Sequence, residues 1–255
     1  MRALCQLAGA SCGACCGLYN RADLSREAVV LDLRRSTQAL AGLPRTAEAF
    51  RDAATRRARD LPGPLIPTIR VCPLLGFLDA SEERIGCLAH PALTGGVDLR
   101  ACGVYDALTC DAFLCPSHAQ IREDEADVAA RAADGDFYRY GLLVTDVPFL
   151  RAALSALRAR TGFPVRPGHL DHLPFRRALG SLLALKVELA PGSEGYFGAF
   201  QRRSPPGEPD EGGSPEGAIL DQLGEASEEL AGEVTRRLAT AAVALEAAQA
   251  QAQQA

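Results

Sequence analysis

Along most of the chain, apolar residues recur at helical spacing, and short polar or glycine- and proline-rich breaks set the element boundaries. Asp23 stands ahead of Val29, Val30, Leu33, Leu40 and Leu43, one face of a helix that Pro44 stops. Thr46 is placed to cap a second helix reaching about Arg59, with alanines and Phe50 on one side and Arg51, Arg56 and Arg57 elsewhere. The run Leu61-Pro-Gly-Pro-Leu-Ile-Pro cannot hold regular structure. Beyond it, Thr68 to Cys72 and Arg84 to Leu88 have β character around the polar turn Asp79 to Glu83, which predicts a hairpin carrying Cys72 and Cys87. Gly95-Gly96 and Gly103 then put Cys87, Cys102, Cys110 and Cys115 on loops and short turns.

From Gln120 the pattern is helical again: an acidic helix to about Ala133, a break at Gly135 and an apolar stretch from Phe137 to Val144. Asp146 caps an amphipathic helix with Pro148 in its first turn and Gly162 beyond its end, and another helix runs from Pro174 to Pro191-Gly192. A flexible linker over 201–213 precedes Ser214-Pro215 and a last helix striped by Ile219, Leu223, Leu230, Val234, Leu238 and Leu245, expected to dock on its own domain. The expected organisation is a cysteine-cluster domain with a helical scaffold over 1–200, the linker, and an amphipathic helical tail over 214–255. The fold class is mostly α, with a small, irregular, metal-stabilised cysteine-rich segment containing a short β-hairpin.

Aromatics make up only 5% of the 255 residues and Trp is absent, so the core rests on aliphatic side chains. A net charge of -5 argues against nucleic acid or an anionic membrane as partner. No run approaches the roughly 20 apolar residues of a membrane span, and Met1 to Ser11 lacks a continuous signal-peptide core, so a cytoplasmic location is expected.

The nine cysteines change the picture most. Cys5, Cys12, Cys15 and Cys16 open the chain, Cys72, Cys87, Cys102, Cys110 and Cys115 follow in one segment, and the last 140 residues have none. An odd number of thiols without an export signal does not make a disulfide framework. A lone cysteine often fills a core as a small hydrophobe, but Cys12-Gly-Ala-Cys15-Cys16 and Cys110-Asp-Ala-Phe-Leu-Cys115 bring thiols within chelating reach. The expected metal ligands are Cys12, Cys15, Cys16, Cys72, Cys87, Cys102, Cys110 and Cys115, converging in space, with Cys5 the eccentric member. Adjacent Cys15 and Cys16 point apart in most backbone conformations and so suit two metals or different atoms of a cluster. Spacing leaves an iron-sulfur cluster or iron, expected first, and zinc open. His90 and His118 have metal-compatible spacing, His169 and His172 flank Asp171 in a polar loop, and Arg70, Arg84 and Arg100 stand where they could offset thiolate charge.

These residues resemble the YkgJ-type cysteine-cluster family. Cys12-Gly-Ala-Cys15-Cys16 is similar to its Cys-Gly-x-Cys-Cys signature, and Cys72-Pro-Leu-Leu, Gly86-Cys87-Leu-Ala-His-Pro and Cys102-Gly-Val-Tyr105 with Cys110 and Cys115 are similar to its second half. The resemblance covers about residues 5–118 and implies a zinc- or iron-chelating domain, some members being described as Fe-S oxidoreductases. This chain departs from it at Gly9, where the family has a further Cys, and at Tyr105-Asp-Ala-Leu-Thr-Cys110-Asp, which lacks the family's Arg-Pro pair and following Arg. The expected function is metal chelation with a structural or redox role, serving a partner protein or standing alone. The alternatives are an enzyme using the cluster directly and a zinc-folded helical scaffold for a protein partner. No Ser-His-Asp order, phosphate-cradling glycine loop or nucleotide fingerprint supports an enzyme.

Overall fold

The computed structural model describes residues 3–67, 69–189, 214–224 and 227–254. It is mostly helical, with two small antiparallel strand pairs. The linker expected over 201–213 lies outside the described residues.

Helix α1 (Arg26–Leu40) is capped two residues beyond Asp23, the residue the sequence offers as its cap: Ser25 accepts from the Ala28 amide, while Asp23 accepts from the Ser25 amide. Helix α2 (Ala47–Arg59) is capped by Thr46 as the sequence predicts. The two are pinned by a buried charge network in which Arg57 donates to Asp32 Oδ1 at 2.7 Å and to Ser36 Oγ at 3.1 Å, and Arg21 pairs with Asp32 Oδ2 at 2.8 Å. Two guanidiniums sharing one carboxylate satisfy a charge that would otherwise be costly to bury.

The central hairpin pairs β3 (Leu75–Phe77) with β4 (Ile85–Cys87) in the register Leu75↔Cys87, Gly76↔Gly86, Phe77↔Ile85. Its first strand starts later than the Thr68 to Cys72 run suggested, because the Cys72 amide donates instead to Cys16 O at 2.8 Å. The hairpin packs on α1, where Thr37 Oγ1 accepts from the Phe77 amide at 2.8 Å. After the short helix α3 (Ala107–Ala112) come α4 (Glu123–Ala133), α5 (Phe137–Val144), α6 (Val147–Thr161) and α7 (Leu173–Leu189). Asp146 caps α6, and Gly162, at φ 82°, closes it.

The expected final helix is two: α8 (Pro215–Leu223) ends at Gly224, whose φ of 72° is left-handed, and Ser227 caps a new start for α9 (Glu228–Ala252). α8 packs on α6 and α9 on α7, burying Ile219, Val234, Leu238 and Leu245, each worth roughly 1.5–3 kcal/mol. The tail thus docks within its own chain. The largest apolar cluster joins α4 to α9 with Leu4, Leu7 and Ala10 of the N-terminus; a second lies between α1, the β3–β4 hairpin and Phe137, and a third between α1, α2, Leu99 and Cys102. The cysteine-bearing loops run along the seam between these clusters. Among the described residues no single helix is long and apolar enough to cross a membrane, and the apolar α5–α6 pair is bent by 88° and buried in the core.

Candidate metal centre

The N-terminus builds the first wall of the site. β1 (Gln6–Leu7) pairs with β2 (Ala10–Ser11) about the turn Ala8-Gly9, both at positive φ, and the Cys12 amide donates to Cys5 O at 3.1 Å. Cys5 and Cys12 therefore stand opposite one another. Gly9 has φ 84°, a conformation a cysteine would hold only under strain, so the position where the resembling family carries a thiol is here the corner of a turn, and Cys5 occupies the neighbourhood of Cys12 instead.

A 3-10 turn over Ala14–Cys16 follows, closed by Gly17 at φ 79°. A Cβ on Gly13 would fall 2.7 Å from Leu75 Cδ2, and one on Gly17 would strike the Arg70 carbonyl, so both glycines let this turn lie flat against the hairpin segment. The turn sends the adjacent thiols apart. The thiol acting most on Cys15 is Cys115, whereas those acting most on Cys16 are Cys72, Cys87 and Cys110.

Cys115 is brought in from the other side by a 3-10 turn (Pro116–Ala119), whose His118 Nε2 accepts from the Leu4 amide at 3.4 Å beside Cys5. Its thiol also reaches Ser117 Oγ at 3.5 Å. Cys5 and Cys12 both feel the Cys115 charge, as Cys15 does. Cys72 is joined to Cys16 through its backbone and Cys87 to Leu75 across the hairpin, and Cys16, Cys72 and Cys87 all feel the charge of Cys110 from α3. Cys16 also feels Cys5, more weakly.

Cys102 stands apart. Its sulfur faces Ala47 O at 3.4 Å at the start of α2, it is buried in the third apolar cluster, and the charges it senses are Arg51 and Asp98 rather than any thiol. Sequence spacing puts Cys102 among the expected ligands and leaves Cys5 uncertain; here Cys5 stands opposite Cys12, and Cys102 Sγ faces Ala47 O. The two-residue turn Ala8-Gly9 was the signal for Cys5, since pairing about it puts residue 5 opposite residue 12.

Burial pushes the Cys12 and Cys87 thiols up to about 12 and also raises Cys5, Cys16, Cys72 and Cys110, in most cases reinforced by neighbouring thiols. Within the hydrogen-bonded pair, Cys15 is raised and Cys115 lowered, one proton being shared between two sulfurs. Arg100 lowers both Cys87 and Cys110 against that trend. Its buried guanidinium is gripped by Asp98, with contacts of 2.9 and 2.7 Å, and by Asp111. Of the other two arginines, Arg84 donates to Gln6 Oε1 at 2.9 Å and Arg70 meets Tyr105 through its backbone.

Of the histidines, only His118 adjoins a thiol group. His90 Nδ1 accepts from the Ala92 amide, His172 Nδ1 from the Phe175 amide, and buried His169 uses one nitrogen on the Arg166 amide and the other on Gln249 at 2.8 Å. Among the described residues, no three or more His, Cys, Asp or Glu side chains stand close enough together to hold a metal ion as they are placed here. The donor type is nevertheless the one that zinc and iron-sulfur clusters take, thiol sulfur supplied from separate segments of the chain. No family model, curated protein or solved structure matches this chain.

Proposed function

We propose that this protein holds metal in two adjoining four-thiolate centres, one of Cys5, Cys12, Cys15 and Cys115, the other of Cys16, Cys72, Cys87 and Cys110. What supports the reading is the pattern of mutual influence among eight of the nine cysteines, Cys115 acting on Cys5, Cys12 and Cys15, and Cys72, Cys87 and Cys110 acting on Cys16. Four soft sulfur donors suit an iron-sulfur cluster first and zinc second, the order also implied by the resemblance to cysteine-cluster proteins. When bound, the metal supplies cross-links between loops. From Asp106 to Pro116 no residue is buried, so Cys110 and Cys115 are what metal would use to fasten this stretch, one thiolate to each centre. Arg100 offsets part of the negative charge of the second centre. The role is structural or redox, within a mostly helical scaffold.

Protein purified without oxygen tests the reading. A brown colour from sulfur-to-iron charge transfer, bleaching in air, supports iron-sulfur; colourless protein with stoichiometric zinc moves the assignment to zinc. Protein that carries neither, and whose reduced thiols fail to take up either metal, refutes it.

A further inference from the structure

Away from the cysteines, a cleft of about 280 Å³ opens where the end of α4 meets α5 and α7. Three arginines line it, Arg139 from α5 and Arg176 and Arg177 from α7, against one carboxylate, Asp134. In a chain of net charge -5 this is a concentrated positive spot. Arg176 reaches Asp134 only at 3.9 Å, and Asp134 is largely exposed. Arg139 is the more telling group. Its Nε is buried without a hydrogen-bond partner within the protein, a cost that calls for an acceptor from water or a ligand, and unlike Arg57 Nη1 it belongs to a side chain lining a cleft.

The backbone is shaped to keep this space open. A Cβ on Gly180 would lie 3.2 Å from Ala132 O and 3.8 Å from Arg139 Nη1, so the glycine lets α7 close on α4 and leaves the guanidinium unobstructed. Ser181 adds a hydroxyl on the same wall. Guanidinium forks match the oxygens of phosphate in geometry and charge. The volume falls just below the roughly 300–1,000 Å³ of sites that enclose drug-sized ligands, which suits a single phosphate group and not a whole nucleotide.

We propose that the cleft formed by Arg139, Arg176, Arg177 and Ser181 binds a phosphate group, either the free anion or the terminal group of a small phosphate ester. The proposal is independent of the thiolate centres.

Calorimetric titration of the full chain with inorganic phosphate, and separately with glycerol phosphate, tests it at low ionic strength. One-site binding is expected, and Arg139→Gln should weaken it roughly ten- to hundredfold, the worth of a charge-assisted hydrogen bond. Equal binding of the ester identifies the ligand as an esterified phosphate; binding of the free anion alone identifies it as phosphate itself. The exposed Arg177→Gln variant, with unchanged circular dichroism and metal content, should also bind more weakly and guards against misfolding of the Arg139 variant. Absence of binding at millimolar phosphate, or undiminished affinity in the folded double variant, overturns the proposal.

Discussion

Stripping metal from the reduced protein should invert the way its stability depends on pH. In the metal-free fold, burial raises the Cys12 and Cys87 thiols from 9.0 to about 12, so the folded state holds their protons more tightly than the unfolded chain. A raised pKa contributes stability that is complete below the unfolded value, near 9, and is lost as pH climbs toward the folded value. At pH 10 the unfolded thiol is about ten-to-one ionised and the folded one is still protonated, a loss of about 1.4 kcal/mol for each, or about 3 kcal/mol for the two. Cys16 and Cys72 shift in the same direction, and the Cys15–Cys115 pair contributes with opposed signs. Against a typical total of about 5–15 kcal/mol, 3 kcal/mol lowers the melting temperature by roughly 6–12 °C. Metal-loaded protein should behave oppositely below pH 9, because ligands must shed protons to bind: its stability rises with pH up to about 9, where the unfolded thiols themselves ionise, and levels off where the metal-free protein declines. Thermal melts from pH 7 to 10, with reductant and with or without chelator, measure both slopes. A metal-free stability that stays flat or rises to pH 10, or a slope unchanged when Cys12 and Cys87 are both replaced by Ser, would refute the burial of these thiols.

If the two proposed centres fill, Cys5→Ser should halve the bound metal, whether zinc or iron, whereas Cys102→Ser should leave it unchanged and cost less than about 1.5 kcal/mol, since its sulfur meets Ala47 O; elemental analysis and urea melts check the pair. Arg100→Gln should weaken metal at the Cys16, Cys72, Cys87 and Cys110 centre by about 10- to 100-fold and leave the other centre unchanged, as measured by competition with a chelator. Gly141→Ala should destabilise the fold by about 1–3 kcal/mol or more, because the new methyl collides with the buried Tyr19 ring, and a chemical melt reads this directly.

Local chemistry made the helical scaffold legible. Thr46, Asp146 and Gly162 announce helix ends because capping is a property of a few consecutive residues. The final helix was misjudged as continuous because its apolar stripe carries across Gly224, whose left-handed backbone ends one helix before Ser227 starts another. The hairpin was found but its first strand displaced, since the Cys72 amide is claimed by Cys16 O, a partner 56 residues away that no local pattern reveals. Which thiols influence one another was hidden for the same reason. Cys102 shares the spacing of a ligand, and only the packing of α2 over it turns its sulfur toward a core carbonyl. His169 in its polar loop looked available for metal, yet both ring nitrogens are engaged within the scaffold.

Titrating reduced, metal-free protein with Co²⁺ under anaerobic conditions decides whether two four-thiolate centres exist. Tetrahedral thiolate cobalt gives intense visible bands and sulfur-to-metal charge transfer, so the spectrum reports ligand type and stoichiometry together. Two such centres give a break at two equivalents with four-thiolate intensity at each, falling to one equivalent in Cys15→Ser and Cys16→Ser alike but through loss of different centres. An absence of thiolate bands, or a titration that breaks at two equivalents in both variants, would contradict them.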